Sequence, residues 1–349
     1  MKYKDFLKRL YPLILIALVF IVWKYREGKK DNDTMVELAG TTMGTIGYSV
    51  KYFDEDRRDF KSDIDTLLKK WNFALSTYIP DSEISRFNTG SDCFEFESGY
   101  LLPILEASRQ VYERSFGAFD PTVGPLVNAW GFGPYKSMAP DSAKVDSLLQ
   151  FVGFDQIRFD NRQVCKNTAA MKLDFSAIAK GNAVDVVGGF LLQKGIDNFL
   201  VEIGGEIVCK GTKGNNQPWI TAIEDPTVAV YEREILATAE LRNKAVATSG
   251  NYRNYYVHKG KKYAHTINPA TGFPVFNTIL SASVFANDCM TADAYATAFM
   301  VMGMAKSKEI LEKDDALDAF LIYRGEDGEV KTFVTRNIAP FIKQSDAQD

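Results

Sequence analysis

With only two histidines in 349 residues, His258 and His265, the chain cannot build a zinc site from several imidazoles. Its four cysteines, Cys93, Cys165, Cys209 and Cys289, contain no C-x-x-C pair, and their wide spacing offers no metal knuckle. A chain of this length can bury a large core without staples, so four scattered cysteines are expected to be small buried apolar residues. They leave the redox compartment open. Positive charge is not in excess either. The formal net charge is -4, which gives no basic field to attract nucleic acid. A Walker A loop, low-complexity tracts and internal repeats are all missing.

The chain does have an ordinary globular composition, 46% hydrophobic and 25% charged, which excludes wholesale disorder. Its N-terminus is distinctive. Lys2, Lys4, Lys8 and Arg9 precede an apolar run from Leu10 to Trp23, and Lys24, Arg26, Lys29 and Lys30 follow it. No small-x-small cleavage site or lipidatable cysteine follows, so the run reads as an uncleaved signal anchor. The balanced flanks do not reveal its orientation. A polar tether from about Glu27 to Thr34 leads into one globular unit, which places the boundary between 1–36 and 37–345.

Within that unit, strands are expected over Thr45–Tyr52, Phe199–Ile203, Glu206–Lys210, Trp219–Glu224 and Ile279–Phe285. A hairpin is expected from Phe320–Tyr323 and Val330–Val334. Ile64, Leu67, Leu68 and Trp71 recur at helical spacing, as do Val145, Leu148, Leu149 and Val152, with Gly153 as a stop. Two further helices are expected over about Ile178–Lys194 and from about Ala292 to about Glu312. Hairpins and long helices without βαβ alternation predict an α+β fold.

Several stretches point beyond packing. Thr41-Thr42-Met43-Gly44-Thr45 opens a strand, although Met43 alone reads more readily as core packing than as a cofactor contact. Ser76 to Asn88 (STYIPDSEISRFN) is a loop into a helix start, for which capping is a sufficient account. Gly117 to Gly133 (GAFDPTVGPLVNAWGFG) reads as an irregular loop with exposed amides and flat rings, suited to a planar ligand or to structure alone. Leu173 to Gly181 (LDFSAIAKG), followed by Asp185, passes from a strand end into a helix start. There backbone amides and Lys180 would favour phosphate. Gly204-Gly205 makes a tight turn between strands. Asp293 and Thr297 lie one helical turn apart and together offer hard oxygens of the kind Mg²⁺ prefers; a helix-start Asp and a back-bonding Thr is the plainer alternative.

Taken in order, these stretches resemble the ApbE family, the FAD:protein FMN transferases, from roughly Glu37 to Pro340. The matching elements are T-T-M-G-T, S-T-Y-I-P-D-S-E-I-S-R-F-N, F-D-P-T-V-G-P-L-V-N-A-W-G-F-G, D-F-S-A-I-A-K-G, E-I-G-G-E-I, T-S-G-N-Y-R, H-T-I-N-P-A-T-G-F-P and A-D-A-Y-A-T. The resemblance implies a single ApbE-like catalytic domain. It implies Mg²⁺ held by Asp293, Thr297 and the Ala177 carbonyl, and FAD contacts at Met43, Tyr78, Ala118, Phe119, Asp120, Asp174, Lys180 and Ile267. It implies transfer of FMN from FAD to a Thr or Ser hydroxyl of an acceptor flavoprotein, either a membrane redox subunit or an extracytoplasmic protein. With the anchor, it implies a bacterial inner-membrane protein whose catalytic domain faces the periplasm. His265 is the candidate base for the acceptor hydroxyl. The departures are Phe175, where Leu is usual, and Asn268, where Asp is common. Two rival activities share the ligand: an Mg²⁺-dependent FAD pyrophosphatase, and a flavin-binding protein without chemistry.

Overall fold

The computed structural model describes residues 16–24, 34–90, 92–133, 140–228, 234–251, 255–258 and 261–344. Residues 16–24 form a short exposed helix, α1. The rest of the expected anchor, and all of the tether except Thr34, lie outside the described residues. Among the described residues no helix is long and apolar enough to cross a membrane.

The folded unit begins with β1 (Met35–Thr42), a strand missing from the sequence expectations, and β2 (Ile46–Phe53). Next come α2 (Lys61–Leu75), α3 (Glu83–Thr89), β3 (Cys93–Glu95), α4 (Leu101–Arg114), α5 (Gly124–Ala129) and α6 (Ser142–Leu149). Short strands β4 (Ile157–Phe159) and β5 (Gln163–Lys166) precede the long helix α7 (Ala179–Gln193). A run of strands follows: β6 (Phe199–Ile203), β7 (Glu206–Lys210), β8 (Trp219–Glu224), β9 (Ile235–Leu241), β10 (Ala245–Gly250), β11 (Tyr255–His258), β12 (Lys261–Ala264) and β13 (Ile279–Ala286). Helix α8 (Cys289–Lys313) and strands β14 (Asp318–Arg324), β15 (Val330–Val334) and β16 (Ile342–Gln344) complete the chain.

The strands form an eight-stranded antiparallel sheet, β1-β2-β6-β7-β10-β13-β14-β15, two three-stranded sheets, β16-β9-β8 and β3-β5-β4, and the β11-β12 hairpin. Period-two alternation puts the large sheet between two cores. On β6, Phe199, Val201 and Ile203 face the helical layer with α2, α7 and α8, while Leu200 faces β8 and β9. Ala319 and Leu321 of β14 divide from Phe320 and Ile322 in the same way. This is the expected α+β architecture.

Four expectations change. The stretch from Gly117 to Gly133 is not an irregular loop of exposed amides. Pro121 starts a single 3₁₀ turn and Pro125 sits in the first turn of α5, where a missing N–H is harmless, and Phe119, Leu126 and Trp130 are buried. Helix α6 ends at Leu149, ahead of Gly153. Helix α8 begins three residues before Ala292, because the Asp288 side chain accepts from the Thr291 N–H at 2.7 Å and caps it. At Gly303 (φ 77°) the helix breaks, in a left-handed conformation that glycine adopts without strain. The cysteines divide. Cys93 and Cys165 are opposed on β3 and β5, 4.1 Å apart at Cα, and form a disulfide, whereas Cys209 and Cys289 are buried and free as expected. Spacing gave no hint of the pair, because 72 residues separate its members.

Candidate active site

A cavity of about 1090 Å³ opens between the large sheet, the N-terminal ends of α7 and α8, the β8 strand and the loop after β12. That is ample for a dinucleotide, since small-molecule sites typically span roughly 300–1,000 Å³. Of the residues expected at the site, Tyr78, Ala118, Phe119, Asp120, Asp174, Ala177, Lys180, His265, Ile267, Asp293 and Thr297 all line it. Met43 does not; it turns the β1–β2 hairpin with φ 48° and packs partly against the main core.

The floor is made where α7 crosses α8. A Cβ on Gly181 would stand 2.3 Å from the Cys289 carbonyl oxygen and 2.9 Å from Asp293 Cβ, so only glycine lets the helices approach this closely. The approach brings the Gly181 N–H to Asp293 Oδ2 at 3.0 Å. Gly181 stands in the first turn of α7, where an N–H has no carbonyl partner within the helix, and Asp293 supplies one. One turn further along α7, the buried Asp185 carboxyl accepts from the N–H groups of Cys289 (2.9 Å) and Met290 (2.8 Å), which belong to the first turn of α8. Burial pushes Asp185 up to about 7 against the pull of those two donors. Asp293 is therefore held from both sides, with Oδ2 occupied and Oδ1 facing Lys180 Nζ at 3.8 Å.

Lys180 makes its close pair elsewhere, with Glu206 Oε1 at the start of β7. The ammonium is desolvated, but the charges of Asp293 and Glu206 outweigh that and raise its pKa. Burial pushes Glu206 up to about 7, opposed by Lys180. Thr297 lies one turn after Asp293, and its Oγ1 is 3.1 Å from Ser249 Oγ. Thr248 is tied in turn to Ser283 at 2.8 Å. Asp293, Thr297 and Ala177 thus line one floor beside the Lys180 ammonium, which faces two carboxyls.

Two loops form the walls. Asp174 accepts from the Ser176 N–H at 2.8 Å, and its own N–H donates to the Pro121 carbonyl at 2.7 Å, which joins the 173–178 turn to the 118–121 segment. Asp120 accepts from Thr122 N (2.7 Å), Thr122 Oγ1 (2.5 Å) and Phe154 N (3.3 Å), and burial pushes it up to about 6. On the opposite wall, His265 is half-buried beside Phe132, ring centroids 6.4 Å apart. The following turn is self-supporting. Asn268 Oδ1 accepts from Ala270 N at 2.9 Å, the Asn268 carbonyl accepts from Gly272 N at 2.8 Å, and Trp130 Nε1 donates to the Gly272 carbonyl at 2.7 Å. Asn268, one of the two departures from the family pattern, thus closes the turn by side-chain bonding, a role for which an amide serves. Tyr252 and Arg253 of the T-S-G-N-Y-R stretch lie outside the described residues.

Sequence reasoning passed over Glu206, Gly181, Ser249 and the whole of β8, although all but Gly181 line the cavity. Glu206, Gly181 and Ser249 stand inside the quoted motifs and were missed only as site residues, whereas β8 carried no signal.

The ApbE family model matches residues 43–321. The chain is 38% identical to the FAD:protein FMN transferase of Vibrio cholerae, over 88% of this chain and 93% of that one. Its similarity to the Haemophilus influenzae protein of the same name is also 38%, over 90% and 93%. Among solved structures it is similar to the flavin transferase ApbE from Vibrio cholerae, with a TM-score of 0.79 at 36% identity, covering 88% of this chain and 99% of that chain. It is also similar to the Pseudomonas stutzeri flavinyl transferase ApbE in its apo form, with a TM-score of 0.77 at 32% identity, covering 88% and 96%.

Proposed function

Because the chain belongs to the ApbE family and is an FAD:protein FMN transferase, we propose that the α7–α8 floor is where FAD is cleaved, with Mg²⁺ held by Asp293, Thr297 and the Ala177 carbonyl. One observation carries this reading. The Gly181 N–H fixes Asp293 Oδ2 and leaves Oδ1 on the side of Lys180, while Asp293, Thr297 and Ala177 line one cavity. Their carboxylate, hydroxyl and main-chain oxygens are hard ligands in small number, as Mg²⁺ prefers. When bound, the cation would neutralise charge on the pyrophosphate.

The protein's own groups do the rest. Lys180 adds a fixed positive charge to the pyrophosphate end. Phe119, Ile267 and Tyr78 offer apolar and aromatic surface to the flavin or adenine, and Asp120 and Asp174 brace the wall behind them. The acceptor hydroxyl oxygen forms a bond to the FMN phosphorus, the bond from that phosphorus to the AMP oxygen breaks, and AMP leaves. His265 takes the hydroxyl proton, and the acceptor retains FMN through a phosphoester. The acceptor is a flavoprotein, either a membrane redox subunit or an extracytoplasmic protein. Anchoring by the N-terminal apolar run at a bacterial inner membrane, with the domain in the periplasm, is part of the same proposal. The Cys93–Cys165 disulfide supports it, since such bonds persist in oxidising compartments.

Mass spectrometry of co-purified membrane and periplasmic flavoproteins, incubated with the enzyme, FAD and Mg²⁺, tests this reading. One FMN moiety gained on a Thr or Ser, with equimolar AMP and a loss of product on chelation, is expected. AMP without any protein mass gain would instead indicate the pyrophosphatase.

A further inference from the structure

Lys180 has two carboxylates within reach but pairs closely with only one. Its Nζ is hydrogen-bonded to Glu206 Oε1 and stands 3.8 Å from Asp293 Oδ1. We infer that Glu206 is a positioning residue for the metal end: it holds the Lys180 ammonium off Asp293 and so keeps Asp293 open to the cation. This rests on the Mg²⁺ reading above.

Glu206 is built to be immobile. It is 3% exposed and is the first residue of β7, paired with Ile203 across a turn whose two residues, Gly204 (φ 64°) and Gly205 (φ 105°), suit only glycine. A Cβ on Gly204 would also crowd Ile46 Cγ2 at 2.9 Å, which keeps the turn to glycine. Lys180 is a long flexible arm, so its position is set by whichever anion is fixed and free. Asp293 has one oxygen tied by Gly181, and an ammonium without another partner would close on the other, 3.8 Å away. A lysine on Asp293 Oδ1 competes directly with a cation there.

A second observation points the same way. Glu206 Oε2 is buried and has no hydrogen-bond partner among the described residues. An acceptor left without a donor in a cavity wall invites one. Water held by Mg²⁺ supplies donors, because this ion keeps several waters when bound, and outer carboxylates commonly orient such shells.

Binding of Mn²⁺, measured by electron paramagnetic resonance with saturating FAD and no acceptor protein, tests the inference. The wild-type protein should bind one Mn²⁺ at the floor; absence of binding there sinks the metal reading itself rather than the role of Glu206. Glu206→Gln should weaken binding about 10–100-fold. Glu206→Gln/Lys180→Met should recover most of that loss, since the competing ammonium is gone, and Lys180→Met alone should bind at least as tightly as wild type. A residue needed only for folding would show no recovery in the double variant. Wild-type affinity in Glu206→Gln, an unrecovered double variant, or weaker binding in Lys180→Met would each overturn the inference. The last of these needs no change at Glu206 and so holds even if that variant does not fold.

Discussion

Lys166 and Lys180 both carry an ammonium group out of bulk water, one into a cage of carbonyls and the other between carboxylates. Lys166 Nζ donates to the carbonyl oxygens of Phe87 (2.8 Å), Asn88 (3.3 Å), Ala169 (3.3 Å) and Met171 (3.2 Å), and among the described residues no carboxylate pairs with it. Burial pushes its pKa down to about 8. Lys180 is half-buried against Asp293 and Glu206, and their charges raise its pKa. Carbonyl dipoles satisfy the hydrogens but not the charge, which suffices for a brace. Carboxylates keep the charge at every physiological pH, which the role proposed for Lys180 beside a pyrophosphate requires. The first arrangement ties α3 and the 169–173 segment together beside the disulfide; Asn88 strengthens it by exchanging hydrogen bonds with the main chain of Leu173 at 2.7 and 2.8 Å. The second forms the floor of the cavity.

If the two regions divide structure from chemistry in this way, substitutions should separate along the same line. The largest effect belongs to Asp293→Asn. FMN transfer should fall to background at any Mg²⁺ concentration, while FAD, followed by its fluorescence, still binds, though more weakly. His265→Ala comes next, with transfer down about 10²–10⁴-fold, FAD affinity kept, and a deficit that shrinks as pH rises and the acceptor hydroxyl ionises more readily. A histidine that only supports the turn would instead weaken FAD binding and give no recovery with pH.

On the structural side, Cys93→Ser/Cys165→Ser should lower stability by about 2–4 kcal/mol in urea titrations and leave the Mg²⁺ requirement unchanged. The smallest loss is expected for Lys166→Met, about 1–3 kcal/mol from the stranded carbonyls, with transfer little changed at temperatures where the protein stays folded. The two lysines should also leave opposite marks on stability against pH. Between about 8 and the ordinary lysine value of 10.5 the folded chain binds fewer protons at Lys166 than the unfolded chain does, so stability rises with pH there and Lys166→Met abolishes the rise. The contribution of Lys180 is fully present below 10.5 and is lost as pH climbs through its raised folded value, so Lys180→Met removes a decline. Melting curves across pH 7 to 11 check both signs. A lysine pair with the same slope would erase the distinction.

Much of this organisation is legible in the residues. The helix of Ile64, Leu68 and Trp71, the β14–β15 hairpin and the Gly204-Gly205 turn follow from local periodicity and turn chemistry, and they stand where the sequence puts them. The ordered motifs likewise supply much of the cavity lining, though not β8 or the β2 residues. What escapes notice depends on partners far along the chain. The Gly181–Asp293 hydrogen bond, the Cys93–Cys165 bond and the four carbonyls around Lys166 carry no local periodicity that would announce them. The stretch around Pro121 and Pro125 misleads for another reason: proline and glycine mark loops on average, yet proline is also at ease in the first turn of a helix.

The distance along the chain between the two halves of the floor also sets a clock. Gly181 and Asp293 are 112 residues apart, and β13, which leads into α8, pairs with β10 and β14 on either side. At a synthesis rate of about 5–20 residues per second, the N-terminal half of the floor waits roughly 6–22 s before Asp293 exists at all. During that interval the nascent chain has Lys180 and Glu206 but no Asp293 and no Thr297, and so no complete pocket to act on cytoplasmic FAD. On the proposed floor, the enzyme would be silent until Asp293 and Thr297 are made, so a chain delivered across a membrane while unfolded would reach the far side before it could spend any flavin.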